Sequence, residues 1–417
     1  MEDLERVEQL LFKDNINEAI DLLNAIIKSP AKGEEIIKVK ELAITKLGQT
    51  QAKHEMADDL YSLIEEMKGS VGMFSKAKAA KLIRELVDQF LNMRAIARKG
   101  KEIPLCENCI SWAKAENRVY LRQALESRLI LVYVERQDYN EALKIASTLL
   151  RELKKIDDKA LLVEVQLLES KAYQKLGNVS KSRASLTSAK TTANGIYCPP
   201  KLQASLDLQS GIIHAEEKDF KTSYSYFYEA FENYDSVDDP QAVIALKYML
   251  LCKVMLNQAD DVQSIVTGKL ALRYTGPELI AMQQIAKASQ NRSIAEFKTI
   301  LKQHNEYIEG DPIVKSHLGA LYDTLLEQNL LRIIEPFSRV EVDHVAKLIN
   351  LPQDAIEQKL SQMILDKTLH GILDQGKGIL VVFEDSNVDQ TYTKALGTIG
   401  QLGKVVDSLY QKAKHVQ

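Results

Sequence analysis

The sequence predicts a mainly α protein: a right-handed α-solenoid of stacked helix pairs, then a winged-helix module with one small β-sheet, then a single C-terminal bundle helix. Three observations predict it. Apolar residues recur at helical spacing through most of the chain. A capped five-residue pattern returns about every 40 residues. Near the end, in "LHGILDQGKGILVVF" at 369–383, two short apolar runs flank a Gly-bearing loop and read as a β-hairpin.

The chain has 417 residues, 45% of them apolar and 27% charged, which is enough for two or three domains with a sizeable core. A net charge of −4 gives no broad pull toward nucleic acid or anionic membrane. No apolar run approaches the roughly 20 residues that a bilayer span needs. The opening "MEDLERVEQLLF" is acidic and amphipathic, unlike a signal peptide. The four cysteines are therefore expected to be reduced thiols of a cytoplasmic or nuclear protein.

Taken in order, the first clear helix is "KAAKLIRELVDQFLNM", where Leu82, Leu86 and Phe90 lie beside Ile83, Val87 and Leu91 in one apolar stripe. "ALLVEVQLLESKAYQKLG" is similar and stops at Gly177. The repeat is carried by Asn15 to Ala19, Asp138 to Ala142, Asn178 to Ser182 and Asp219 to Ser223. Each has a helix-capping residue, an apolar residue, two polar residues and a small one. The small residue admits a second helix closely. The steps from 138 to 178 to 219 are 40 and 41 residues, and the 123-residue gap from 15 to 138 leaves room for two units that the pattern does not show. Stacked helix pairs of this period make an α-solenoid, whose curved surface suits protein partners.

After "SQNRSIAEFKTILKQH" the periodicity weakens. Arg332 to Pro336, in the β-branched "LLRIIEPF", is expected to be a strand. Ser338 and Glu341 read as a capping box, with Phe337 and Val342 as its staple, so a helix should start there. A second helix follows the "NLP" turn, with Ile356, Leu360, Met363 and Ile364 on one face, and the hairpin comes next. Strand, helix, turn, helix, hairpin is the winged-helix order, with the hairpin as its wing. Behind it Ala395, Ile399, Leu402, Val406, Leu409, Ala413 and Val416 are spaced 4, 3, 4, 3, 4, 3, a seam for packing in a helical bundle. Gly397, Gly400 and Gly403 each cost that helix roughly 0.8–1 kcal/mol relative to Ala. The expected domains are 1–215 for the solenoid, 216–385 for a second domain (helical to about 330, winged helix 331–385), and 386–417 for the tail.

Little in the sequence carries chemistry. In a DNA-binding winged helix the second helix enters the groove. Here Lys359 and Lys367 are set against Asp354, Glu357 and Asp366, without the row of cations that phosphate neutralisation needs. The histidines form no His-x-His and no His-Glu-x-x-His. Cys106-Glu-Asn-Cys109 is a lone C-x-x-C and reads as two ordinary thiols. The "GKG" at 376–378 is a turn, not a phosphate loop. The basic "ARKGK" at 97–101 reads as a solvated loop, with a docking patch for an acidic partner as the alternative. No catalytic, cofactor-binding or metal-ligating residue is assigned.

Solenoid, winged helix and tail helix in this order resemble the PCI family, shared by the proteasome lid, the signalosome and a translation initiation factor. Long stretches carry the resemblance further, among them "SRASLTSAKTTANGIYCPPKLQASLDLQSGIIHAEEKDFKTSYSYFYEAFENYD", "KLALRYTG" and "LYDTLLEQNLLRIIEPFSRVEVDHVAKLI". They are similar to a PCI subunit of the proteasome regulatory-particle lid. The chain departs from that pattern at Pro352, where Ser is typical, and in its three tail glycines.

The resemblance implies a TPR-like solenoid in a non-catalytic scaffold for ubiquitin-dependent degradation. It implies winged helices joined edge to edge with other lid PCI subunits, here through Ile372, Leu373, Ile379, Val381 and Phe383. It implies a tail helix in a common bundle, and a solenoid clamping the ATPase ring and a 20S core α-subunit. It implies no cofactor, no nucleic-acid partner and no membrane partner. A signalosome or initiation-factor subunit shares the architecture but not the long stretches. A nucleic-acid-binding winged-helix regulator is opposed by the acidic second helix. An enzyme reading lacks the His-x-His that the lid's deubiquitinase chemistry requires.

Overall fold

A computed structural model of the chain describes residues 16–28, 34–70, 75–93, 100–268, 271–274, 276–291, 294–304, 311–349, 351–383 and 390–414. The chain forms two compact units, Met1–Leu256 with Ile265–Thr275, and Asn257–Ser264 with Gly276–Gln417.

The first unit begins with α1 (Ile16–Lys28), α2 (Glu34–Lys53), α3 (Ala57–Ser70) and α4 (Lys76–Asn92). They share one core with α5 (Glu102–Ala115) and with part of α6 (Val119–Glu135). On α4 the expected stripe is buried through Leu82, Ile83, Leu86, Val87 and Phe90. Ser75 caps that helix, its hydroxyl accepting from the Lys78 N–H at 3.4 Å. The 123-residue gap in the repeat is thus filled by helices whose turns lack the five-residue pattern. Asn15 and residues 97–99 of the basic cluster lie outside the described residues, and Lys101 is paired with Asp58.

The regular repeat runs through α7 (Tyr139–Ile156), α8 (Lys159–Lys175), α9 (Val179–Ala193), α10 (Pro200–Glu216), α11 (Phe220–Asp235) and α12 (Ala242–Met255). Helices pack on their sequence neighbours, and α8 also touches α6 and α10, which is solenoid stacking. The three readable patterns sit where expected, with Asp138, Asn178 and Asp219 immediately before α7, α9 and α11. The Asn178 and Asp219 side chains accept from the N–H groups of Lys181 and Thr222 at 3.2 and 3.3 Å. Ala142, Ser182 and Ser223 are buried at the crossings. Ser182 and Ser170 each donate to the other's carbonyl, at 2.8 and 2.9 Å. One repeat later Ser223 donates to the Gly211 carbonyl at 2.7 Å. A Cβ on Gly211 would lie 2.5 Å from the Phe227 ring, so glycine is what lets α10 and α11 meet.

The linkers share a device that the sequence does not announce. Asn117, Gln137, Asp157, Gly177, Lys218 and Asp238 all have positive φ. One left-handed residue thus ends most of these helices and turns the chain back. Only Gly177 is a glycine, so it alone was readable as a stop. The expected boundary at 215/216 falls in the last turn of α10, which packs on α11.

Leading to the second unit are α13 (Ala259–Val266) and a 3₁₀ turn (Ala271–Arg273). There follow α14 (Pro277–Gln290), α15 (Ile294–Gln303), α16 (Pro312–Ile334), β1 (Arg339–Glu341), α17 (Val342–Ile349), α18 (Gln353–Leu365), β2 (Gly371–Asp374), β3 (Ile379–Val382) and α19 (Gln390–Lys414). The sheet is antiparallel, in the order β1-β3-β2. With α17 and α18 it makes the expected winged helix, and Ile356, Leu360 and Met363 face its core.

Two local expectations are corrected here. Arg332 to Pro336 is not the third strand. It closes the 23-residue α16, because Leu326, Leu330 and Ile334 fall at i, i+4, i+8 and are all buried in the winged-helix core. The third strand is Arg339–Glu341, paired with β3. Ser338 and Glu341 therefore form no capping box. Glu341 is in the strand, the Ser338 carbonyl accepts from the Val382 N–H at 3.0 Å, and the helix starts at Val342. Phe337 is 46% exposed while Val342 is buried, so the staple is not made either.

Candidate assembly surfaces

The wing has two chemically different faces, set by the register. Val340 and Leu373 both pair with Leu380, and these three turn inward with Val382 onto the winged-helix core. Ile372 pairs with Val381, and Asp374 with Ile379, on the opposite face. Ile372 is 59% exposed, and Val381 and Ile379 are half-buried. Of the five expected interface residues, the structure therefore puts Ile372, Ile379 and Val381 on one outward apolar strip. It assigns Leu373 to the core, and it leaves Phe383 exposed just beyond β3. At the start of β2, a Cβ on Gly371 would lie 2.5 Å from the Val381 carbonyl, so the tight approach of β2 to β3 requires glycine. Among the described residues β1 and β2 are the sheet edges, and β3 is the centre. Backbone pairing with another chain is thus open to β2 or β1, not to β3. Beside the sheet, Phe337 and Phe383 flank a groove of about 710 Å³ floored by Leu331, Ile334, Leu369 and Val382.

The second winged-helix helix is not built for phosphates. Lys359 is turned inward, 2.8 Å from Glu327 on α16, with its side chain only 12% exposed. Asp354, Gln358, Gln362 and Leu365 point to solvent instead. Pro352 precedes the helix without a side-chain cap.

The tail is a 25-residue helix, α19. Ala395, Ile399, Leu402, Val406 and Leu409 are all exposed, the last four by 58–64%. Ala413 lies in the helix but its side chain is outside the described residues, as is all of Val416. Tyr392, Leu396 and Tyr410 are also exposed and were not in the expected seam. With Ile399 and Val406 they make a second line at 4-3 spacing, so the apolar face is wider than one seam. The same periodicity, started three residues earlier, would have found it.

The C-x-x-C pair consists of two buried free thiols. Cys106 and Cys109 are buried in α5, and burial, helped by the neighbouring Cys109, pushes the Cys106 thiol up to about 12.

Three family models match the chain: the 26S proteasome regulatory subunit RPN6 N-terminal domain over residues 1–136, the PCI domain over 301–384, and the RPN6 C-terminal helix domain over 388–414. A 26S proteasome non-ATPase regulatory subunit 11 homolog of Arabidopsis thaliana is 48% identical, covering 98% of this chain and 97% of its own. A probable regulatory subunit rpn6 of Schizosaccharomyces pombe is also 48% identical, with the same coverage. The Saccharomyces cerevisiae subunit RPN6 is 43% identical over 98% of both chains.

The chain belongs to the Rpn6 family of 26S proteasome regulatory subunits.

The Rpn6 segments follow the structural ones. The N-terminal domain ends with α6, the PCI domain runs from the end of α15 through the wing, and the C-terminal helix domain coincides with α19. The tail helix thus has a family model of its own, and the wing lies at the end of the PCI one.

Proposed function

We propose that this chain is a non-catalytic scaffold subunit of the 26S proteasome regulatory-particle lid. In this reading it joins other lid PCI subunits through the outward strip of its wing and through its tail helix. Its solenoid clamps lid, ATPase ring and a 20S core α-subunit together in ubiquitin-dependent degradation, in cytoplasm and nucleus. Family membership supports the assembly. The observation that carries the scaffold role is α19, a long amphipathic helix whose apolar face is solvent-exposed along 395–409. An exposed apolar stripe of this kind marks an interaction surface.

Leu402→Asp with Leu409→Asp tests the reading. Each puts a charge on the apolar face without touching the core of either unit. The doubly substituted chain should remain folded but fail to enter reconstituted lid on native gels. Normal incorporation would defeat the proposal.

A further inference from the structure

The apolar core of the first unit divides within one helix. Leu121, Leu125 and Leu129 of α6 belong to the core of α1–α5, whereas Ile130 belongs to the next, with Ala146 and Leu149 of α7 and Val165 of α8. Tyr133 of α6 and Ile145 of α7 pack against both cores, and α6 is also tied to both by charge. Arg122 pairs with Glu152 on α7. Arg128 bridges Asp88 on α4 at 2.7 Å and Glu164 on α8 at 3.3 Å. Arg136 reaches Glu102 on α5 at 3.2 Å. Arg122 and Arg128 of α6, with Arg136 at its C-terminal cap, thus tie together helices from both cores.

The same helix buries polar groups without satisfying them. Gln123 and Ser127, one turn apart, are fully buried. Both polar atoms of the Gln123 amide and the Ser127 hydroxyl have no hydrogen-bond partner among the described residues. Such groups penalise the arrangement that buries them. Close-packed apolar contacts resist displacement, whereas long ion-paired side chains can follow a moving partner by changing rotamer. The linkers on both sides of α6 turn at left-handed residues, Asn117 and Gln137. The N-terminal family domain also ends at residue 136, where α6 ends.

We propose that α6 is a shear joint, along which the α1–α5 body slides against α7–α12, latched by Arg122, Arg128 and Arg136. Because the latch is ionic and about a third exposed at Arg128, it weakens with salt. The inference goes beyond the scaffold reading and does not depend on it.

The test uses the full chain carrying Cys198→Ser, with spin labels on Arg84→Cys in α4 and Thr187→Cys in α9, both exposed positions. Pulsed dipolar spectroscopy reads the label-to-label distance. Raising salt from about 0.1 M to about 1 M shortens the screening length from about 10 Å to about 3 Å and should broaden the distribution. Arg128→Gln should give that breadth already at low salt, with helicity unchanged. Gln123→Leu with Ser127→Ala should narrow it and raise the melting temperature by about 2 °C. A distribution indifferent to salt and to Arg128→Gln would overturn the joint. So would a lower melting temperature for the Gln123→Leu, Ser127→Ala chain, since its polar groups would then be earning stability in the observed register.

Discussion

At the scale of single residues, the solenoid depends on how close its helices can come. Ser170 with Ser182, and Gly211 with Ser223, occupy the same crossing one repeat apart. In each, a hydroxyl replaces a backbone-to-water bond across helices that nearly touch. Gly211 is the more exacting, because Phe227 is 1% exposed and its ring stands where a Cβ would go. Gly211→Ala should therefore destabilise the solenoid by about 1–3 kcal/mol through overpacking, even though alanine is the better helix former. Chemical denaturation compared with wild type checks the sign, and a stabilised variant would show that Phe227 can yield.

At the scale of elements, the wing turns one apolar face to the core and another to solvent. Adjacent residues of β2 separate the two roles. Ile372→Glu changes a side chain that is 59% exposed, and its effect on stability should stay within about 0.5 kcal/mol. Leu373→Glu places a charge against the winged-helix core and should cost about 2–3 kcal/mol. If the outward strip is an assembly surface, Ile372→Glu reduces lid incorporation in a folded chain, read by native gel beside a melting curve. Equal incorporation of wild type and Ile372→Glu would remove the wing from the interface.

At the scale of the whole molecule, α19 gains little packing from the described residues of its own chain. Its described residues from 394 to 410 are exposed throughout. Gly397, Gly400 and Gly403 lie in open space, so they bring no packing to offset roughly 0.8–1 kcal/mol each of lost helix propensity. Helix formation and association should therefore be coupled. In hydrogen exchange on the free chain, amides between Ile399 and Leu409 should exchange far faster than those of α10 and become protected on assembly. Deleting residues 390–417 should leave the melting temperature of the rest unchanged within about 1 °C, since so little buried surface is lost. Strong protection in the free chain would mean that the helix packs on its own molecule.

Much of this architecture was legible in the sequence, for reasons that lie within a few residues of each other along the chain. The period of apolar residues separates helix from hairpin, and a side chain three residues before a bare N–H caps a helix wherever the chain goes next. Those local rules placed α4, α7, α9, α11, the hairpin and the tail, and the 4-3 spacing marked the tail's apolar face. The structure alone decided where the third strand lies. A three-residue strand has almost no local signature, and the partner that makes Arg339–Glu341 a strand, β3, is 40 residues away. The apolar "LLRIIEPF" looked like a strand until Leu326, Leu330 and Ile334 were seen to share one buried helical face. Which wing residues face solvent was likewise undecided until the pairing of Leu373 with Leu380 was known, because a one-residue slip of register exchanges the two faces. The joint in α6 was also invisible, since two cores meeting on one helix is a property of packing between distant segments, not of any stretch of sequence.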